Sequence, residues 1–174
     1  MKSIPAIAVL AAVALVAGCA SAPPQPAAPA PLTAATPEQM VAAIDAAAGD
    51  GEGELAVQPL RDPMVEDLRE QAQQARAQGR YDDAAAALER ALAIVADDPA
   101  LLQERAETAL LQRDFERAGQ LAERAFALGA QVGPLCRRHW ATIEQVRLVA
   151  GDAEGAASAK RQVDGCKVAG PNRF

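Results

Sequence analysis

Apolar positions recur through the second half of the chain at spacings of three and four. Val65, Leu68, Ala72 and Ala75 make one stripe; Leu102, Ala106 and Ala109 make another. This is the period of an amphipathic helix. A turn signal follows each stripe, and after it comes a second helix-like stretch. Residues 79–92 read Gly-Arg-Tyr-Asp-Asp-Ala-Ala-Ala-Ala-Leu-Glu-Arg-Ala-Leu, and 113–126 read Arg-Asp-Phe-Glu-Arg-Ala-Gly-Gln-Leu-Ala-Glu-Arg-Ala-Phe. Tyr81 corresponds to Phe115, Ala84 to Ala118, Glu89 to Glu123, Arg90 to Arg124, Ala91 to Ala125 and Leu92 to Phe126, all at a shift of 34 residues. A fixed period of this size marks a helical repeat array. A third, weaker copy begins at Gly151-Asp152-Ala153, with Ala156 where Ala84 and Ala118 stood. One large apolar residue, Leu68, Leu102 or Trp140, stands eleven residues ahead of each turn. The predicted unit is therefore helix, tight turn, helix. Ala84, Ala91, Ala118 and Ala125 place methyl groups where two helices approach closely, and the turn aromatic fills the wedge between them.

With its Gly-Xaa-Tyr/Phe turn, then Ala, then Ala-Leu/Phe seven residues later, the unit resembles the tetratricopeptide repeat. The resemblance covers about 63–166. It departs from the family pattern at Arg113, where the turn glycine is missing, and in the prolines after the second helices, which are displaced to Pro99 and Pro134. The fold class it implies is all-α: a short right-handed helical array of about three helix–turn–helix units. Periodicity alone also fits a plain antiparallel helical bundle.

The N-terminus carries a different pattern. Lys2 is followed by an apolar run, Ile4–Val16, too short to span a bilayer and of the length of a secretory signal core. The run ends Leu15-Val16-Ala17-Gly18-Cys19, which is similar to the bacterial lipobox. Residues 1–18 are thus read as a lipoprotein signal peptide and Cys19 as the lipidation site. The resemblance to Gram-negative lipoproteins implies a two- or three-chain acyl anchor, palmitate among the chains. With Ala20 after the cysteine instead of Asp, it also implies an outer-membrane destination, lipid-anchored at the periplasmic face. Residues 19–35 are a Pro/Ala-rich tether, expected to be extended. Residues 36–62 are expected to form a short helix and an acidic linker. Thr36-Pro37-Glu38-Gln39 reads as a capped start and Gly49 as the stop; the helix either packs on the first repeat or stays loose. Leu55, Ala56 and Val57 break any calcium-loop pattern after Asp50-Gly51-Glu52-Gly53-Glu54, so a solvated linker is the reading. Residues 63–174 are the repeat domain with a C-terminal tail. Asp62-Pro63 and Asp98-Pro99 open the first helices of units one and two as cap and first-turn proline.

Net charge is −6, and Lys2 is the sole charge in the signal, so the remainder is more acidic still. That argues against nucleic acid as a partner. Cys19 taken by lipid leaves Cys136 and Cys166, at the start and end of the last helical hairpin, as a disulfide pair in an oxidising compartment. His139, in Arg137-Arg138-His139-Trp140, has no nucleophile partner and reads as a helix-surface histidine. No phosphate loop, metal set or catalytic constellation occurs in the sequence; no cofactor is implied, and the chain is not read as an enzyme. Function then falls to a surface. In tetratricopeptide arrays the first helix of each unit lines a groove. Carried over by helix face, this implies Glu66, Arg69, Gln73 and Arg76 from unit one, Gln103, Glu107 and Leu110 from unit two, and Arg138, Gln145 and Leu148 from unit three. Such mixed charge and amide groups suit an extended peptide. The expected function is a membrane-anchored periplasmic adaptor binding an envelope protein; the alternative is an accessory regulator of a cell-wall enzyme.

Overall fold

The computed structural model describes residues 29–49 and 62–167, which form seven α-helices with no strand among them. They are α1 (Pro37–Ala48), α2 (Pro63–Ala77), α3 (Tyr81–Ile94), α4 (Pro99–Leu111), α5 (Phe115–Leu128), α6 (Gly133–Val149) and α7 (Ala153–Gly165). The signal and lipobox at 1–19, the acidic linker at 50–61 and the tail from Val168 to Phe174 lie outside the described residues. Helices α2/α3, α4/α5 and α6/α7 are the three hairpins of an all-α, repeat-like fold.

The three hairpin turns share one backbone solution. Gly79, Arg113 and Gly151 all take positive φ, at 70°, 64° and 74°. In each turn the next amide reaches back five residues: Arg80 N to Ala75 O, Asp114 N to Ala109 O, and Asp152 N to Arg147 O, all at 2.9 Å. This is the 6→1 bond of a helix C-terminus closed by a left-handed residue. Arg113 takes that conformation without being glycine, at a steric cost of about 1–2 kcal/mol, so the turn is imposed by the hairpins around it. Helix starts are capped as their sequences lead one to expect. Asp62 accepts from Met64 N at 2.8 Å, and Asp98 from Ala100 N at 2.8 Å and Leu101 N at 3.2 Å. Thr36 and Gln39 form the full capping box of α1, at 2.9 and 3.3 Å.

The small-residue positions are where the helices touch. Ala84, Ala91, Ala118 and Ala125 are fully buried, and Ala156 nearly so. A Cβ on Gly119, which replaces an alanine of unit one, would come within 3.2 Å of Val146, so α5 and α6 approach at glycine distance there. Phe126 and Trp140 pack ring to ring, centroids 4.7 Å apart and planes at 59°.

Helix α1 neither rests on the first repeat nor stays loose. It lies along the face shared by α4 and α6, with Met40, Val41 and Ile44 buried against Ala109, Leu110, Ala118 and Ala141. A hydrogen bond from Tyr81 Oη to Glu38 at 3.2 Å ties α1 to unit one. Ala48 O, at the other end of α1, accepts from Arg137 Nε at 2.8 Å and Nη2 at 2.6 Å. The reason is the apolar stripe: three large side chains at about 1.5–3 kcal/mol each on burial need a complementary surface, and the Ala/Leu face of α4 and α6 supplies one.

Cys136 and Cys166 are joined, Cα to Cα 5.7 Å, closing the mouth of the last hairpin. Gly133 N adds a hydrogen bond to Cys166 O at 2.8 Å. The bridge spans 30 residues, for which chain entropy gives roughly 3–4 kcal/mol. Reduction is expected to speed amide exchange in α6 and α7 and leave α2 and α3 near their oxidised rates, because array units lean on their neighbours. Hydrogen exchange with and without reductant checks this; equal acceleration in all six helices would contradict it.

Candidate partner-binding cleft

The first helices α2, α4 and α6 present one common face, and α1 covers its α4/α6 part. Beyond α1 the face opens into a cleft of about 270 Å³ lined by Arg69, Gln73, Arg76, Ala100, Gln103, Glu104, Glu107, Leu135 and Arg138. The floor is an acidic side chain. Glu107 is fully buried; its Oε1 accepts from Gln103 Nε2 at 2.9 Å and from Arg138 Nε and Nη2 at 2.9 and 2.6 Å, while Oε2 faces Arg76 Nη2 at 3.3 Å. One carboxylate thus holds arginines from α2 and α6 against α4. Arg138 also pairs with Asp45 of α1 at 2.8 Å. On the outer wall Arg69 binds Glu104 through Nε at 3.0 and 3.1 Å and through Nη2, and Glu66 through Nη1 at 3.0 Å.

Beneath the cleft the polar chain continues inward. Gln103 donates its second amide hydrogen to Thr142 Oγ1 at 2.8 Å, and Thr142 donates to Arg138 O at 2.9 Å. This leaves Gln103 Oε1 to accept from His139 Nδ1 at 2.7 Å, so the ring is the Nδ1–H tautomer. His139 is fully buried, a correction to its expected place on the helix surface. Its position three residues after Cys136 and four before Ile143, both buried, puts it on the inward stripe of α6. Its Nε2 has no hydrogen-bond partner among the described residues. Burial, with Arg138 adding to it, lowers its pKa to about 4.

The residues expected on the groove therefore divide. Arg69, Gln73, Arg76 and Arg138 line the cleft, Gln103 and Glu107 form its floor, and Glu66 stands exposed beside Arg69. Gln103 and Glu107 are corrected from exposed contacts to buried network members, because two arginines and a histidine claim their polar atoms. Leu110 is corrected more fully: it is buried in the cluster under α1 and cannot meet a partner while α1 is seated. Gln145 and Leu148 are half-buried further along α6, outside the cleft, and Leu148 O accepts from Leu32 N at 2.8 Å. Five contributors were not anticipated, Ala100 on the cleft wall among them. Glu104 and Leu135 line the cleft, while Asp45 and Arg137 fasten α1. Arg137 and Arg138 look like a solvated basic pair in sequence; their task is visible only once α1 is in place.

These features define a short α-helical repeat domain with a polar cleft on its first-helix face. No protein-family model and no curated protein sequence matches the chain. Among solved structures it is similar to the globular C-terminal domain of P. aeruginosa LpoP, at 33% identity and a TM-score of 0.57, over 60% of this chain and 99% of that one. The chain belongs to the family of that domain.

The buried histidine makes a pH prediction. Its pKa is lowered on folding, so the unfolded chain takes up a proton that the folded chain refuses between the ordinary value and about 4. Stability contributed by neutral His139 is complete above that window and is lost as pH falls through it. Linkage gives about 2 kcal/mol of loss between pH 7 and pH 5. Denaturant unfolding at both pH values should show that increment in the wild type and not in His139→Gln; equal pH dependence in the two would contradict it.

Proposed function

We propose that the chain is an outer-membrane lipoprotein that serves as an accessory regulator of a cell-wall enzyme of the envelope, with the α2/α4/α6 cleft as its contact site. Kinship with the LpoP C-terminal domain over nearly the whole of that domain carries this reading. The sequence supports it with a lipobox-like Leu15–Cys19 and a proline-spaced tether ahead of a helical domain. On this reading the tether sets the reach of the domain from the membrane. We also read its repeats as of the tetratricopeptide kind, a reading supported by the shared left-handed turn and the buried alanines.

The size of the cleft favours a single-partner regulator over an adaptor that gathers long peptides. With α1 seated, the open part of the face accommodates a few side chains or a short extended segment. Its arginines Arg69, Arg76 and Arg138 are each paired within the domain. A partner would meet a pre-arranged surface of paired charges and amides, which fixes orientation and register more than raw affinity. Gln73 at the rim and Ala100 on the wall are the positions where a substitution alters the cleft without touching the Glu107 network.

The test is reconstitution. The full chain, with each purified cell-wall synthase of its own organism, should raise the rate of glycan polymerisation by one of them. Gln73→Lys with Ala100→Trp should reduce that stimulation at least tenfold at an unchanged melting temperature. Stimulation of none, or an unchanged effect of the double variant, would contradict the proposal.

A further inference from the structure

The two junctions between hairpins are built on one plan, and the second lacks what fills the first. Where α3 meets α4 and α5, Glu89 accepts from Arg105 Nε at 2.9 Å and from Arg117 Nη2 at 2.6 Å. One carboxylate holds a guanidinium from each neighbouring helix. Glu123 stands in the same place on α5, at the 34-residue shift. The next unit is reached at a shift of 38, which carries Leu102 to Trp140 and Ala118 to Ala156. At that shift Arg105 becomes Ile143 and Arg117 becomes Gly155, while Gln120 and Leu121 shrink to Ser158 and Ala159. Both guanidinium groups are gone, and α7 offers only short side chains in their place.

A cavity of about 360 Å³ opens there, where α5, α6 and α7 meet. That is the size of a binding pocket and far above an ordinary packing gap. The half-buried rings of Phe126 and Trp140 form its apolar wall. The cation that remains is Arg147, one helical turn beyond Ile143, and it is divided between two acids. Its Nη2 lies 3.3 Å from Glu123 Oε1, while its Nη1 donates to Asp152 at 3.0 Å. Glu123 is half exposed, and its Oε2 has no partner among the described residues. The cavity therefore sets two carboxylates against one cation, beside aromatic surface.

This combination selects its occupant. An anion would meet the carboxylates, and an aliphatic group would leave Glu123 as it is. Lysine brings a compact, strongly hydrated charge that does not stack. The planar guanidinium of arginine bonds a carboxylate through its fork and stacks on aromatic rings, with its stem lying along apolar surface. The first junction shows the same filling, since arginines of the chain itself occupy the place on Glu89.

We propose that the α5/α6/α7 cavity is a docking socket for an arginine side chain of another protein, its guanidinium on Glu123 and its stem against Phe126 and Trp140. Arginine and tryptophan are the residues that most often carry binding energy at protein interfaces, where they meet in pockets. The socket shares no lining residue with the α2/α4/α6 cleft and stands apart from the function proposed for that cleft.

Trp140 is the one tryptophan of the chain, so its emission reads the socket directly. The full chain is titrated with N-acetyl tripeptide amides in which arginine, lysine or norleucine stands between two glycines. The arginine peptide should shift the emission saturably, with a midpoint at least fivefold below that of lysine, and norleucine should give no saturation. Glu123→Gln should raise the arginine midpoint at least fivefold at an unchanged melting temperature. In the cell, benzoylphenylalanine at exposed Ala127, one turn along α5 from Glu123, should give an adduct with another protein. Glu123→Arg should cut its yield at least tenfold, and Arg→Glu in the crosslinked segment of that protein should restore it. No saturation by the arginine peptide, equal midpoints for arginine and lysine, or a midpoint unchanged in Glu123→Gln would overturn the proposal. So would no adduct, an adduct to a second copy of this chain, or a yield that the charge swap does not restore.

Discussion

A buried carboxylate organises this domain. Glu107 lies on the middle first helix with no exposure, and its two oxygens are taken by Arg76 from the unit before and Arg138 from the unit after. Alone, such a charge would be costly to desolvate; paired on both sides and fed by Gln103, it is fully satisfied. The consequence reaches past the array, because the same Arg138 holds Asp45 of α1. Three units and the N-terminal helix thus converge on one side chain. An alanine-rich core supplies little directional information, since small methyl faces slide over one another. The Glu107 network can fix the register that the apolar contacts leave loose, the use for which buried polar groups are best attested.

The second organising fact is that the face used by first helices is partly occupied by the chain itself. Helix α1 fills the α4/α6 section with Met40, Val41 and Ile44, and Arg137 closes its C-terminal carbonyls. This divides the surface into a covered half and an open cleft, and it aligns the chain. Residues 29–32 lie at the hairpin-turn end, α1 crosses the face, and α2 begins at the opposite end. The disulfide stiffens the last hairpin, beyond which the array has no further unit to lean on.

Much of the fold was legible from residues alone. The 34-residue shift placed the turns, and the structure shows why Arg113 could stand for a missing glycine: the local hydrogen bonds recur and the backbone pays the strain. The Asp-Pro starts and the capping box are short-range signals, the cysteine pair follows from the hairpin that brings its two ends together, and each is where the sequence put it. The cleft was only half legible. Helix-face counting found Arg69, Gln73, Arg76 and Arg138, because first helices share one face. It could not tell an exposed Leu110 from a buried one, since that depends on where α1 docks across more than sixty residues. Glu107 and Gln103 looked like solubilising groups for the same reason: their partners come from other units. His139 was misread because two arginines precede it, although its spacing from Cys136 and Ile143 marked the inward stripe.

The most direct measurement is hydrogen exchange of α1 together with unfolding of Glu107→Gln. The substitution preserves shape and removes the charge that faces Arg76 and Arg138. If this carboxylate joins the units to one another and to α1, the variant should lose about 3 kcal/mol or more, and amides of Met40–Ala48 should exchange at least tenfold faster. Wild-type stability with unchanged protection in α1 would show that the apolar contacts alone hold the domain, and would contradict the account.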